Sequence, residues 1–282
     1  MPKVGTLRPE VVPALSHKNL ELYQGNCETV ISDHGFFYKY CGEVDLVLTD
    51  PPFNVGYGYD VHDDNMAVTD YFQFLVKVFI HCTYLLKENG SIYVCSGLKH
   101  QALVFNALER AGFKWRNTLC WHYTFGPSQK SNWTPSWVAI HYAVLDTKDF
   151  YWDPPKVPSA RQMKYNDRRA KAGGKTPNNV WILDPAAAPD EFFRGDSNTV
   201  LESRVCGTFK ERTPHPCQMP EAVTSRIVQA SCPVGGLVFD PFLGSGTTLA
   251  SALKLGSRGL GIELSESYLM DICVPRLKPL LG

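Results

Sequence analysis

The sequence predicts a doubly wound α/β sheet interrupted by an inserted region, and three observations carry that reading. Two nearly unbroken apolar runs, VDLVLTD at 44–50 and GLVFDPF at 236–242, read as strands covered on both faces, as in a parallel sheet packed under helices. Strand and helix patterns alternate around both runs, which is the βαβα order of such a sheet. Between about Gly126 and Val205 the alternation fails, and prolines, polar residues and short aromatic pieces take over.

The elements follow in order. The first apolar run ends at Asp50-Pro51-Pro52-Phe53. A long apolar helix pattern over 70–86 closes at Asn89-Gly90, a helix stop, and SIYVC at 91–95 is the next strand. His100 opens a helix that Gly112 stops, and strands are expected at 118–123 and 137–145. After the second run and its Gly244-Ser245-Gly246 turn come a helix at 247–255 stopped by Gly256, a strand at 259–264 and a final helix from Glu266. The expected division is 1–125 and 206–282 as two halves of one domain, with 126–205 inserted between them.

Composition bounds the answer. The chain has 282 residues, 44% of them hydrophobic and 20% charged, enough for a sizeable core and incompatible with wholesale disorder. Lysine plus arginine equals aspartate plus glutamate at 28 each, so a uniformly basic coat is excluded and any basic surface is local. No run approaches the roughly 20 apolar residues of a membrane span, and the opening MPKVGTLRPE lacks a signal-peptide core. The nine cysteines are scattered without a C-x-x-C pair, which speaks against disulfide or thiolate–zinc scaffolds and fits a reducing cytoplasm. The histidines show no ligand spacing, so no metal is expected.

Charge gathers inside the insertion. Lys156, Arg161, Lys164, Arg168, Arg169, Lys171 and Lys175 face one acid, Asp167, in the same stretch. Such a segment suits phosphate contact, and the plainer alternative is a solvated loop over an aromatic minicore, because all six tryptophans lie in or just before the region.

The glycine turn reads as a ligand site. Glycines between a strand and a helix let the backbone turn sharply and let a ligand approach the helix N-terminus. Glu263 at the end of the next strand is placed to accept ribose hydroxyls. A dinucleotide fingerprint needs a third glycine where Leu249 stands, so a nicotinamide cofactor is discounted. Asp240 before the turn repels a pyrophosphate and suits an ammonium. An ammonium, a ribose and no phosphate together describe S-adenosylmethionine; the alternative is a tight turn with no ligand.

The Asp-Pro-Pro-Phe turn reads as the chemical site. Proline fixes φ and offers no N–H, so nothing local occupies the Asp50 carboxylate or the Pro51 carbonyl. One amino group could donate to both, with Phe53 stacked on its ring. That arrangement favours a pyramidal nitrogen with its lone pair aimed at a methyl donor. The plainer alternative is an Asp-Pro pair that simply ends a strand.

Together the two motifs resemble the S-adenosylmethionine-dependent DNA amino-methyltransferases, in the permuted β group where DPPFN (50–54) precedes FDPFLGSGTT (239–248). Two shorter stretches extend the resemblance. His215-Pro216-Cys217-Gln218-Met219-Pro220 matches a family segment with Met219 in place of a lysine, and Gln24-Gly25-Asn26-Cys27 matches a Gly-Asp-Cys segment with Asn26 in place of the aspartate. Thr176 to Trp181 looks like the stretch that returns the chain to the core. The resemblance implies a Rossmann-like methyltransferase sheet with an inserted target-recognition region, acting on double-stranded DNA with the base flipped out. It implies Asp50, Pro51, Pro52 and Phe53 as catalytic. Asn26, Cys27, Asp50, His215, Gln218, Asp240, Phe242, Gly244, Ser245, Gly246, Thr247, Thr248, Glu263 and Leu264 are implied at the cofactor. The seven basic residues of the insertion are implied at DNA. Asp before Pro-Pro goes with adenine N6 in this family and Ser with cytosine N4, so N6-adenine is expected and N4-cytosine is the nearer alternative. RNA or protein amino-methylation and a dead fold that only grips DNA are the remaining readings. A prokaryotic or phage origin, a homodimer and a cognate restriction nuclease are in keeping with the family.

Asp60, Asp63 and Asp64 read as a mobile lid or solvated acidic loop, and the 71–86 face as core.

Overall fold

A computed structural model describes residues 11–123, 129–156, 168–169, 173–181, 212–215 and 217–282. Its elements are β1 (Leu15–His17), β2 (Leu20–Gln24), α1 (Cys27–Ile31), α2 (His34–Tyr40), β3 (Val44–Thr49), α3 (Val68–Leu85), β4 (Leu86–Ser96), α4 (Gln101–Ala111), β5 (Lys114–His122), β6 (Trp137–Val144) and β7 (Val180–Trp181). There follow α5 (Glu221–Ser231), β8 (Leu237–Asp240), α6 (Thr247–Lys254) and β9 (Arg258–Glu263). A π-helical turn (Tyr268–Cys273), α7 (Val274–Leu277) and a 3₁₀ turn (Lys278–Leu280) complete them.

One sheet runs through the described residues in the order β1-β2-β9-β8-β3-β4-β6-β5-β7. From β2 to β4 every pairing is parallel, and β6 then enters antiparallel between β4 and β5. Alternate residues of β3 enter different cores: Val47 joins α1 to α4 on one face, whereas Leu46 and Leu48 join α5, α6 and the C-terminal helices on the other. Burial on both faces explains the unbroken apolar run, because a strand covered by helices on each side has no solvent face.

The strand order reverses between β3 and β8. From β3 the chain winds outward through α3 to β4, and from β8 it winds the other way through α6 to β9. Loops at the carboxyl ends of such a pair leave in opposite directions and open a crevice between them, the usual ligand position of an open α/β sheet. The Asp50 and Gly244 turns both lie there.

Two expectations need correction. Asn89-Gly90 does not stop α3, which ends at Leu85; both residues lie inside β4, where pairing shifts from Val44↔Leu86 to Leu46↔Ser91. A Cβ on Gly90 would meet the Leu86 side chain at 2.7 Å and the Asp45 carbonyl at 3.2 Å, so this glycine answers crowding at a bulge. The segment 126–205 is also not wholly external, since β6 and β7 within it are strands of the main sheet. No helix among the described residues is long and apolar enough to cross a membrane.

Asp45 secures the reversal at its amino end. Its carboxylate is buried, accepts from the Leu237 N–H of β8 at 2.8 Å and pairs with Lys87 Nζ of β4 at 2.8 Å. Asp45→Ala leaves the buried Leu237 N–H unpaired and is expected to lower unfolding free energy by about 1–3 kcal/mol. Urea denaturation checks this: a midpoint equal to wild type would contradict it.

Candidate active site

A cavity of about 430 Å³ fills the crevice. Asp50 to Phe53 form one wall, and Asp240 to Ser245 with Thr247 and Thr248 form the facing wall. Gly25 to Glu28 and Ile262 to Leu264 lie at the cofactor end, and Tyr59 to Asp63 cover the space.

The catalytic turn is held open by its neighbours. Tyr71, buried in α3, donates its hydroxyl to the Pro52 carbonyl at 2.7 Å, while the Pro51 carbonyl accepts no hydrogen bond among the described residues. Asp50 Oδ1 is buried with no hydrogen-bond partner there either. Phe53 lies against Gly97, where an added Cβ would stand 2.9 Å from the ring. The turn therefore lines the cavity with two acceptors that have no donor among the described residues and with an anchored ring.

Asp240 faces Asp50 across the crevice. It accepts from Thr49 Oγ1 at 2.7 Å and the Phe242 N–H at 3.1 Å, and also from Thr248. Burial, then the Asp240 charge, pushes Asp50 up to about 7. Burial pushes Asp240 up to about 6 against those hydrogen bonds. Glu263 rises to about 7, again chiefly through burial.

Glu263 is first a fastener of the turn: Oε2 accepts the Gly244 N–H at 2.7 Å and Oε1 the Ser265 N–H at 2.9 Å. Each oxygen keeps further acceptor capacity, and Glu263 lines the cavity, so a sugar hydroxyl can still donate to it. Asn26 Oδ1 likewise has a structural task, capping α1 by accepting from Glu28 N at 2.9 Å. The His215 ring lies 3.1–3.2 Å from where a Gly244 Cβ would be, and Gly244 has φ +53°, so space and backbone both demand glycine. Burial lowers His215 to about 4, leaving its imidazole neutral at neutral pH.

Of the expected cofactor residues, Asn26, Cys27, Asp50, His215, Asp240, Phe242, Gly244, Ser245, Thr247, Thr248, Glu263 and Leu264 line the cavity. Gln218 and Gly246 do not: Gln218 braces Thr213 through its N–H and hydroxyl, and Gly246 packs on Leu277. Tyr59, Asp60, Cys217, Met219 and Tyr268 line it without having been expected. Of the basic residues, Lys156, Arg168 and Arg169 are exposed, Lys175 donates to Asn178 Oδ1 at 2.6 Å, and none of these four lines the cavity. Arg161, Lys164 and Lys171 lie outside the described residues.

The acidic loop is corrected as well. Asp64 is buried, and accepts from the backbone N–H of Asn54 at 2.7 Å and of Val55 and Tyr57 at 3.0 Å each. The Asn54 amide exchanges two bonds with the Met66 backbone, and His100 Nε2 sits 3.2 Å from the Asn54 carbonyl. Asp60 bonds to Ser265 and to Ser267, the latter at 2.9 Å, tying the loop to the cofactor half. The loop is a strap fixed at both ends.

Charge decides what ligand fits. Glu28, Asp50, Asp60, Asp63, Asp240 and Glu263 line the cavity, with no lysine or arginine in its lining among the described residues. Such a lining rejects a pyrophosphate and suits a ligand with an ammonium and a second cationic centre. S-adenosylmethionine has both, beside a ribose for Glu263, so the residues present fit it.

Solved structures show the fold. The complex of M1.HpyAVI with SAM superposes with TM-score 0.59 at 18% identity, covering 92% of this chain and 98% of that one. The cytosine-N4-specific PvuII DNA methyltransferase gives 0.62 at 16%, covering 97% and 94%. The chain thus has the fold of these methyltransferases. The DNA methylase family model for N6 and N4 methylation matches residues 44–273, and the chain belongs to that family of S-adenosylmethionine-dependent amino-methyltransferases. Among curated relatives, the type II methyltransferase M.HpaI of Haemophilus parainfluenzae is 32% identical over 229 residues, 80% of this chain and 66% of that protein. The DNA adenine methyltransferase YhdJ of Escherichia coli strain K12 is 28% identical over 236 residues, 80% and 74%.

The three raised carboxyls yield a pH prediction. Their folded values lie above unfolded values near ~4, so they contribute stability that is fully present below about pH 4 and lost as pH rises through 6–7. A cationic ligand favours their ionised forms and must release protons on binding. Affinity for S-adenosylmethionine is therefore expected to rise between pH 5.5 and 8 (~). Titration calorimetry in buffers of different ionisation heat reads both effects; a flat profile or proton uptake would contradict them.

Proposed function

We propose that this protein methylates the exocyclic N6 of adenine in duplex DNA. The observation that carries the reading is the pair of unoccupied acceptors, Asp50 Oδ1 and the Pro51 carbonyl, beside the Phe53 ring on the wall of an acidic cavity. An adenine amine is planar because its lone pair is delocalised into the ring. Donating its two hydrogens to the turn draws the nitrogen toward a tetrahedral shape and frees that lone pair. S-adenosylmethionine supplies an electrophilic methyl on a positively charged sulfur. The turn holds the amine in line with it, so the rate comes from positioning and preorganised acceptors. A carboxyl at about 7 is matched to taking the proton the methylated nitrogen sheds near neutral pH.

Asp before Pro-Pro, with YhdJ named as an adenine methyltransferase, supports adenine over cytosine. The base must leave the helix to reach the crevice, and Phe53 offers it a stacking face. Lys156, Arg168 and Arg169 of the 126–205 region fit phosphate contact, and with Lys175 they make it the target-recognition region of this reading.

The test is transfer of labelled methyl from S-adenosylmethionine to mixed-sequence duplex DNA, followed by digestion to nucleosides and mass spectrometry. The expected product is N6-methyldeoxyadenosine; N4-methyldeoxycytidine, or label that nuclease does not release, would contradict the reading. Asp50→Ala is expected to cut kcat by roughly 10²–10³-fold, as when one preorganised transition-state contact is removed. An unchanged kcat would remove Asp50 from the chemistry.

A further inference from the structure

The geometry points to Arg276 as a positioning residue that sets the cofactor turn from behind, a role that rests on S-adenosylmethionine being the ligand. The C-terminal helical stretch touches the turn at every residue from Gly244 to Thr247. Cys273 Sγ donates to the Gly244 carbonyl at 3.0 Å. Arg276 Nη1 donates to the Ser245 carbonyl at 3.0 Å and to Thr247 Oγ1 at 2.9 Å, with Ser245 Oγ at 3.4 Å. Leu277 lies where a Cβ on Gly246 would come within 3.3 Å. The other guanidinium nitrogen, Nη2, donates to Glu221 Oε1 at 2.9 Å.

None of Cys273, Arg276 or Leu277 lines the cavity, so each acts through the turn and not on the ligand. A guanidinium is suited to this task, because its planar fork holds several acceptors in one fixed geometry. Glu221 opens α5, directly after the segment that carries His215, and Arg276 therefore ties that segment to the glycine turn. The spacing depends on the π-helical turn at Tyr268–Cys273, whose widened winding precedes the contacts of 273, 276 and 277. Ser245 and Thr247 face the cavity on one side and Arg276 on the other, so losing the guanidinium frees the wall that the ligand must find preformed.

The test measures S-adenosylmethionine binding by calorimetry, and KM and kcat on duplex DNA, for wild type, Arg276→Met, Arg276→Lys and Cys273→Ala. Arg276→Met is expected to weaken binding by about tenfold or more, the equivalent of one lost charge-assisted hydrogen bond. Arg276→Lys, which reaches one acceptor at a time, is expected to restore part of that. KM for S-adenosylmethionine should rise while kcat at saturation stays within about twofold. Should Arg276→Met not fold, Arg276→Lys and Cys273→Ala decide, each with affinity reduced several-fold (~). Variants that bind as wild type does, even with a lowered melting temperature, would overturn the inference. A wild-type protein that binds no S-adenosylmethionine would instead overturn the cofactor reading itself.

Discussion

Everything at the crevice depends on β3 and β8 being parallel neighbours where the strand order reverses. Leu46 pairs with Val238 and Val47 with Phe239, so Thr49 and Asp240 finish side by side and share a hydrogen bond of 2.7 Å. Asp50 is the next residue along. Two carboxylates thus meet in a buried space, an expensive arrangement with no cation present and a favourable one around a cation. A positively charged methyl donor seated beside them relieves that mismatch.

The surrounding residues keep the two working turns apart in role. The catalytic turn is left hungry for donors: Tyr71 satisfies the Pro52 carbonyl, the prolines bring no N–H, and Asp64 gathers the backbone donors that follow. The cofactor turn is the reverse case. Glu263 satisfies the Gly244 N–H from within the cavity wall, and Cys273 and Arg276 satisfy the turn's carbonyls from behind. One turn stays reactive because its acceptors are idle, and the other stays shaped because its groups are engaged.

Much of this was legible in the sequence because local chemistry announces it. The double-sided burial of β3 shows in its apolar run, and the two turns show in prolines and glycines that few other structures require in that order. What was missed depends on distant partners. β2 is a five-residue strand whose parallel pairing is with β9, some 240 residues on, and nothing local marks it. Asn89-Gly90 carries a helix-stop pattern, yet Gly90 answers crowding from Leu86 and Lys87 of its own bulged strand and from Asp45 of the neighbouring one. Asp64 looked solvated beside Asp60 and Asp63, but its carboxylate serves three backbone donors that only the folded loop brings together. Arg276 gave no signal, since an arginine late in a helix usually faces water. The short N-terminal helices α1 and α2, of five and seven residues, likewise left too little periodicity to read.

The most direct test of the central claim is a crystal structure of the protein with a non-reactive S-adenosylmethionine analogue and duplex DNA that it binds. The account requires a flipped adenine with its N6 within about 3 Å of both Asp50 Oδ1 and the Pro51 carbonyl, and the donor sulfur on the Asp240 side of the same crevice. An analogue seated away from the Gly244 turn, or a base amine held by other groups while Asp50 stays idle, would contradict it.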